Sequence, residues 1–308
     1  MDNLTHSLIG AALGQAGLKL RTGLAMPALI IGANLPDVDA PCTVYGVEAL
    51  AMRRGITHGP IALLILPLLL AGLLIAFDRW QTRRGKRPAG RLPVHAGWLV
   101  ALCYLGALSH PLFDWFNTYG IRLLEPFSSR WFYGDTLFII DIWIWAMLGL
   151  GLWQSRRREG AGASLPARPA RVALGVMAGY IGLNMAISQM AAFQARYSEP
   201  YPQVVVAQPV PLAFWQRTIL WRNGERHGAY DWSAFSRPEL RQPMGEPTHM
   251  ADPRIAAWAS HNPAATAFLF WSRMPVATPV KDGILLTDQR FASSPMRGAF
   301  VVKLEPER

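Results

Sequence analysis

The sequence is poor in charge and almost without cysteine. Only 16% of its 308 residues are charged against 51% hydrophobic, which is too greasy for two ordinary soluble domains of that total length. Two cysteines, Cys42 and Cys103, imply no disulfide framework, and Cys103 falls inside an apolar run. The opening Met1-Asp2-Asn3 lacks the basic residue with which a secretory signal begins, and Asp2 has the wrong sign, so a signal peptide fits poorly. No internal repeat and no low-complexity tract interrupts the chain.

What the sequence does have is long apolar runs, at residues 60–77, 95–108, 136–153 and 172–190. Those near 18 residues reach the length a bilayer demands, and the need to satisfy every backbone group in lipid makes them helices. The run from His95 gains reach by continuing through Ser109, His110, Pro111 and Leu112. Two shorter stretches, residues 4–18 and 22–35, read as a helical hairpin, because Gly10, Ala11, Ala12, Gly14 and Ala16 permit close packing. Each is about 14 residues against the ~20 that a span needs.

The net charge of +10 is concentrated in two loops, which argues against a nucleic-acid patch and for membrane topology. Residues 78–93 carry Arg79, Arg83, Arg84, Lys86, Arg87 and Arg91, and residues 154–171 carry Arg156, Arg157, Arg158, Arg168 and Arg171. Placing both inside the cytoplasm gives six crossings, with segments 36–59 and 113–135, both termini and the tail on the periplasmic side. The expected architecture is mainly α: a helical membrane domain over 1–194 and a small periplasmic α+β domain over 195–308. In the tail, Val204 to Val206 and Thr218 to Trp221 read as strands, with a turn at Asn223-Gly224. Residues 253–271 read as a helix interrupted near Asn262-Pro263, and residues 284–287 and 299–304 read as closing strands.

Histidines and aspartates then fall together on one face of this topology: His6, Asp37, Asp39, His58, His110 and Asp114. The charge rule that placed them makes no use of histidine. Imidazole with carboxylate suits zinc, manganese or iron, whereas an all-oxygen set would suit calcium or magnesium. The spacing His110-x-x-x-Asp114 puts both side chains on one helix face, although Pro111 could kink the helix or begin a new one. Of Asp37 and Asp39, we expect one ligand and one supporting partner, with a turn-capping role as the bland alternative. Arg53 and Arg54 are candidates to hold a phosphate, or plain interfacial anchors. Asp141, inside an expected span, needs a partner: it either faces the site or pairs with Arg122 or Arg130. His227, His249 and His261 show no ligand-like spacing and read as surface or packing residues.

The segments Met1-Asp2-Asn3-Leu4-Thr5-His6, Asn34-Leu35-Pro36-Asp37-Val38-Asp39, Arg54-Gly55-Ile56-Thr57-His58 and Ser109-His110-Pro111-Leu112-Phe113-Asp114 resemble the YdjM-like family of inner-membrane proteins. The likeness continues through Asn117-Thr118-Tyr119-Gly120, Leu123-Leu124-Glu125-Pro126-Phe127 and Phe138-Ile139-Ile140-Asp141, over roughly residues 1–190. It implies a metal-dependent hydrolase of the inner membrane. The chain departs from the family pattern at Arg53, where a histidine is frequent, and at Ile142, where a proline is. A more distant likeness, to zinc-dependent phospholipase C and related single-strand nucleases, implies the ligand order His6, Asp39, His58, His110 and Asp114. In that pattern Asp114 bridges an ion held by Asp39, His58 and His110 and a second ion near His6.

The expected function is therefore a membrane-bound hydrolase with one or two divalent ions, zinc by preference, that activates water against a phosphoester, with a lipid headgroup among the expected substrates. Asp37, or whichever carboxylate is left free of metal, is the expected general base. Membrane lipids and a small-molecule or lipid substrate are the expected partners, and no nucleic acid. The rival reading is a non-enzymatic metal-binding scaffold or an ion-coupled transporter.

Overall fold

A computed structural model describes residues 1–236, 244–292 and 297–306. By internal contacts the chain divides into two compact units, Met1–Val38 with Arg54–Leu183, and Asp39–Arg53 with Asn184–Arg308.

The first unit is helical. Asp2 caps α1 (Asn3–Gln15) by accepting from the Thr5 amide at 3.0 Å, and α2 (Ala25–Asn34) follows after a short 3-10 turn. After the excursion through residues 39–53 come α4 (Pro60–Arg83), α5 (Ala96–Trp115), α6 (Ile142–Gly160) and the start of α7 (Arg168–Arg196). Helix α2 packs on α1 and α5, α4 on α5, and α1 on α6. The core lies where α2, α4 and α5 meet, around Ala28, Leu29, Ala71, Leu99, Leu102 and Cys103. Small residues allow this approach: a Cβ on Gly106 of α5 would stand 2.7 Å from the Leu29 carbonyl oxygen of α2.

Among the described residues, three helices are long and apolar enough to cross a bilayer: α4, α5 and α7. This corrects the six crossings expected from the sequence. Helices α1 and α2 have 13 and 10 residues, so at 1.5 Å per residue they extend only about 20 and 15 Å against a hydrocarbon core of ~30 Å. The run expected over 136–153 loses its first turns, because residues 136–141 are not helical and α6 begins only at Ile142. Its last turns carry Arg156, Arg157, Arg158 and Glu159, which leaves too short an apolar stretch. Asp141 accordingly lies outside any helix interior. It caps α6, accepting from the amides of Trp143 at 3.0 Å and Ile144 at 3.2 Å, and accepts from the Tyr180 hydroxyl at 3.0 Å.

The second unit combines the short helix α3 (Ala49–Met52), the end of α7 and the tail. Strands β1 (Val204–Pro209), β2 (Gln216–Asn223), β3 (Arg226–Ser233) and β4 (Glu246–Pro247) form an antiparallel sheet in sequential order. The turn expected at Asn223-Gly224 joins β2 to β3, with Gly224 at φ 57°. Helices α8 (Pro253–Ala259) and α9 (Pro263–Trp271) break at the expected Asn262, whose side chain caps α9. Strands β5 (Pro275–Val280), β6 (Gly283–Asp288) and β7 (Val301–Leu304) make a second antiparallel sheet. Periodicity missed β3 and β5. Strand β3 is half-exposed and polar, and β5 carries prolines at both 275 and 279. On α7, Ile187, Ala191 and Ala195 pack against Val205, Ala207, Ile219 and Trp232. Buried Arg217 binds Ser188 Oγ at 2.8 Å and Asn184 Oδ1 at 3.1 Å.

Candidate metal centre

Four donors from three segments converge in the first unit: Asp37, His58, His110 and Asp114, with ligand atoms all within 4.8 Å of one another. Asp37 comes from the 3-10 turns that follow α2, and His58 from a 3-10 turn (Ile56–His58) just before α4. His110 and Asp114 lie one turn apart on α5, which runs unbroken through Pro111. Gly59 lets the His58 turn pack down, since a Cβ there would collide with the Glu125 carbonyl.

The rings are held so that one nitrogen of each faces inward. His110 Nδ1 donates to the Ala33 carbonyl at 2.7 Å, and His58 Nδ1 contacts Thr57 Oγ1 at 2.8 Å. That fixes Nε2 as the lone-pair side of His110, the usual outer support of a metal-binding imidazole. His110 Nε2 stands 3.5 Å from Asp114 Oδ2 and 3.7 Å from Asp37 Oδ1, and His58 Nε2 stands 3.5 and 4.0 Å from the same two oxygens. Ligands placed tetrahedrally around an ion at ~2.1 Å are separated by about 3.4 Å. The spacing therefore suits one ion at the middle of the four. His58, His110 and Asp114 are fully buried, and the His110 Nε2 atom has no hydrogen-bond partner among the described residues. A buried polar atom left so is costly unless something binds it. These four residues could hold a metal ion.

His6 stands beside the group rather than in it. Its ring stacks on His110 with centroids 3.8 Å apart, and its Nε2 lies 3.3 Å from Asp114 Oδ1. Burial pushes its pKa down to about 3, against the pull of Asp114, so the ring is neutral and able to ligate. The Met1 amino group also contacts Asp114. Asp39 belongs to the second unit, where Arg53 Nε approaches it at 3.9 Å.

Sequence reasoning did not find the role of Arg54. It is buried, with Nε 3.0 Å from Asp114 Oδ2 and Nη2 3.2 Å from Oδ1. Its Nη1 donates to Asn117 Oδ1 at 3.0 Å, its guanidinium covers the Tyr119 ring at 4.7 Å, and its carbonyl accepts from the Arg122 amide at 2.9 Å. The signals for this shell were the Arg54 to His58 and Asn117 to Gly120 segments, which the family resemblance marked without explaining. Of the other histidines, His95 caps α5, its Nδ1 accepting from the Trp98 amide at 3.3 Å.

Residues 1–191 match the family described as YdjM inner membrane protein. The uncharacterized protein YfhP of Bacillus subtilis (strain 168) is 30% identical over 141 residues, which span 42% of this chain and 39% of that protein's length. No solved structure matches. With more than half of its length matched, including every residue of the four-donor group, this chain belongs to the YdjM inner membrane protein family.

Proposed function

We propose that this membrane protein is a metal-dependent hydrolase of phosphoesters. The observation that carries the reading is the mixed nitrogen and oxygen donor set, buried and spaced for one ion, with the His110 ring locked by the Ala33 carbonyl. That donor set favours zinc over calcium or magnesium. When bound, such an ion supplies Lewis-acid chemistry, lowering the pKa of water and offsetting charge on a phosphoryl oxygen. His6, neutral and against the far oxygen of Asp114, is the side chain to hold a second ion.

The chain's own residues have separable roles. His58 and His110 offer their Nε2 atoms in fixed orientation. Arg54, engaged on both oxygens of Asp114, acts as a positioning residue, which replaces the phosphate-holding role expected from the sequence. With His58, His110 and Asp114 as the residues that would hold the ion, Asp37, the least buried member of the four, is left free of metal to accept the proton as water attacks. The water oxygen forms the new bond to phosphorus, the ester P–O bond breaks, and Asp37 passes the proton it took from water to the leaving oxygen.

The membrane is crossed several times, with both arginine-rich loops cytoplasmic. With α4, α5 and α7 as spans, that orientation also requires α6 to reach across, its arginines snorkelling to the boundary. The metal centre and the tail then face the periplasm. The test is bound metal and phosphoester turnover on the purified protein in detergent or nanodiscs. A preparation that binds no divalent ion stoichiometrically overturns the proposal.

A further inference from the structure

The segments that carry His58, His110 and Asp114 also carry exposed apolar side chains. On α5, the two turns that point His110 and Asp114 inward point Leu108 and Leu112 outward, 51% and 50% exposed. On the segment leading into α4, His58 is fully buried while Ile56, two residues earlier, is 65% exposed. The turn after Arg122 packs backbone to backbone on this segment, with the Glu125 carbonyl against Gly59, and it exposes Leu124 at 46% and Phe127 at 76%. On α4, Leu64 and Leu68 are exposed as well. Helices α4 and α5 are long and apolar enough to span a bilayer, so lipid suits the outward faces they carry.

We infer that Ile56, Leu124 and Phe127 form a lip on which a bilayer phospholipid lays its acyl chains, presenting its headgroup phosphate to the metal centre sideways from the membrane. The inference rests on the hydrolase reading and adds the substrate class and the direction of approach. A soluble phosphoester has nothing to place on this lip, whereas a lipid keeps its chains in apolar surroundings while its phosphate meets the buried donors.

Two measurements test it. In the first, a nitroxide is attached at Phe127→Cys in a Cys42→Ser background, with the full chain in phospholipid vesicles. Relaxation by dissolved oxygen in preference to a water-soluble nickel chelate is expected; the reverse preference overturns the lip. In the second, turnover of a vesicle phospholipid is compared with that of an acyl-free phosphodiester by the same Ile56→Ser/Phe127→Ser protein. The ratio of the two rates is expected to fall about tenfold or more from that of the parent protein, with metal content kept. An unchanged ratio overturns the inference. If the parent protein cleaves neither compound, the hydrolase reading fails, and with it the substrate assignment, while the nitroxide still decides whether the lip faces lipid.

Discussion

Arg54 grips Asp114 with two nitrogens, Nε at 3.0 Å from Oδ2 and Nη2 at 3.2 Å from Oδ1, and both side chains are buried. Removing one partner of such a pair strands the other's charge in a low-dielectric interior, at a cost of about 3–5 kcal/mol. Arg54→Met is expected to lower thermal stability by that order and to loosen bound metal. Arg54→Lys should recover stability in part but not the two-point hold, because a point charge cannot span both oxygens. Melting curves and metal content of the two variants check this. Equal behaviour of Lys and Met in both readouts would count against the positioning role.

His110→Ala removes one donor and the ring that His6 stacks on. Metal content and phosphoester turnover are expected to fall below detection, while membrane insertion stays intact, since insertion follows apolar length and flanking charge. His227→Ala and His261→Ala in the tail should leave metal content unaltered. Elemental analysis of the purified variants decides it, and full metal occupancy in His110→Ala would make the cluster structural.

Reporter fusions after residues 85 and 200 are expected to report opposite compartments. Because α4, α5 and α7 alone would put these two points on the same side, the experiment asks whether α6 reaches across. The same compartment for both would leave α6 peripheral and separate the two arginine-rich loops.

In the second unit, Asp288 and Arg290 form a fully buried pair, with Arg290 Nε 2.9 Å from Oδ1, and Ser272 and the Met274 amide donating to Oδ2. Burial alone would raise the Asp288 pKa, but the Arg290 charge and these hydrogen bonds hold it below the usual carboxylate value. A depressed folded pKa contributes stability that is fully present above the unfolded value and lost as pH falls through the folded one. Stability of the parent protein should therefore decline below about pH 4. Asp288→Asn should lower stability by about 3 kcal/mol at neutral pH and flatten that acid limb. An Asp288→Asn protein with the parent's pH profile would show that the pair does not set it.

How much of this was legible beforehand follows from what is local. Membrane character, the positions of α4, α5 and α7, the Asn262 break and the Asn223-Gly224 turn are written in runs of a few residues, because apolar length, capping and turn chemistry act over that range. The pairing of His110 with Asp114 was equally readable, since a spacing of four is fixed by the helix itself. The count of spans was not, because charge at the end of α6 and the non-helical residues 136–141 cut a run that composition alone joins. The expected grouping of His58 and one of Asp37 and Asp39 with that pair matches the four-donor group, but the sequence could not choose Asp37 over Asp39, which falls in the second unit, nor say that Arg54 would turn onto Asp114. Those outcomes depend on contacts between segments some 50 to 110 residues apart, set by close packing at Gly59 and Gly106 and by the Ala33 carbonyl that orients His110. Local periodicity fixes which face of an element a side chain occupies; only the packing of elements decides what that face meets.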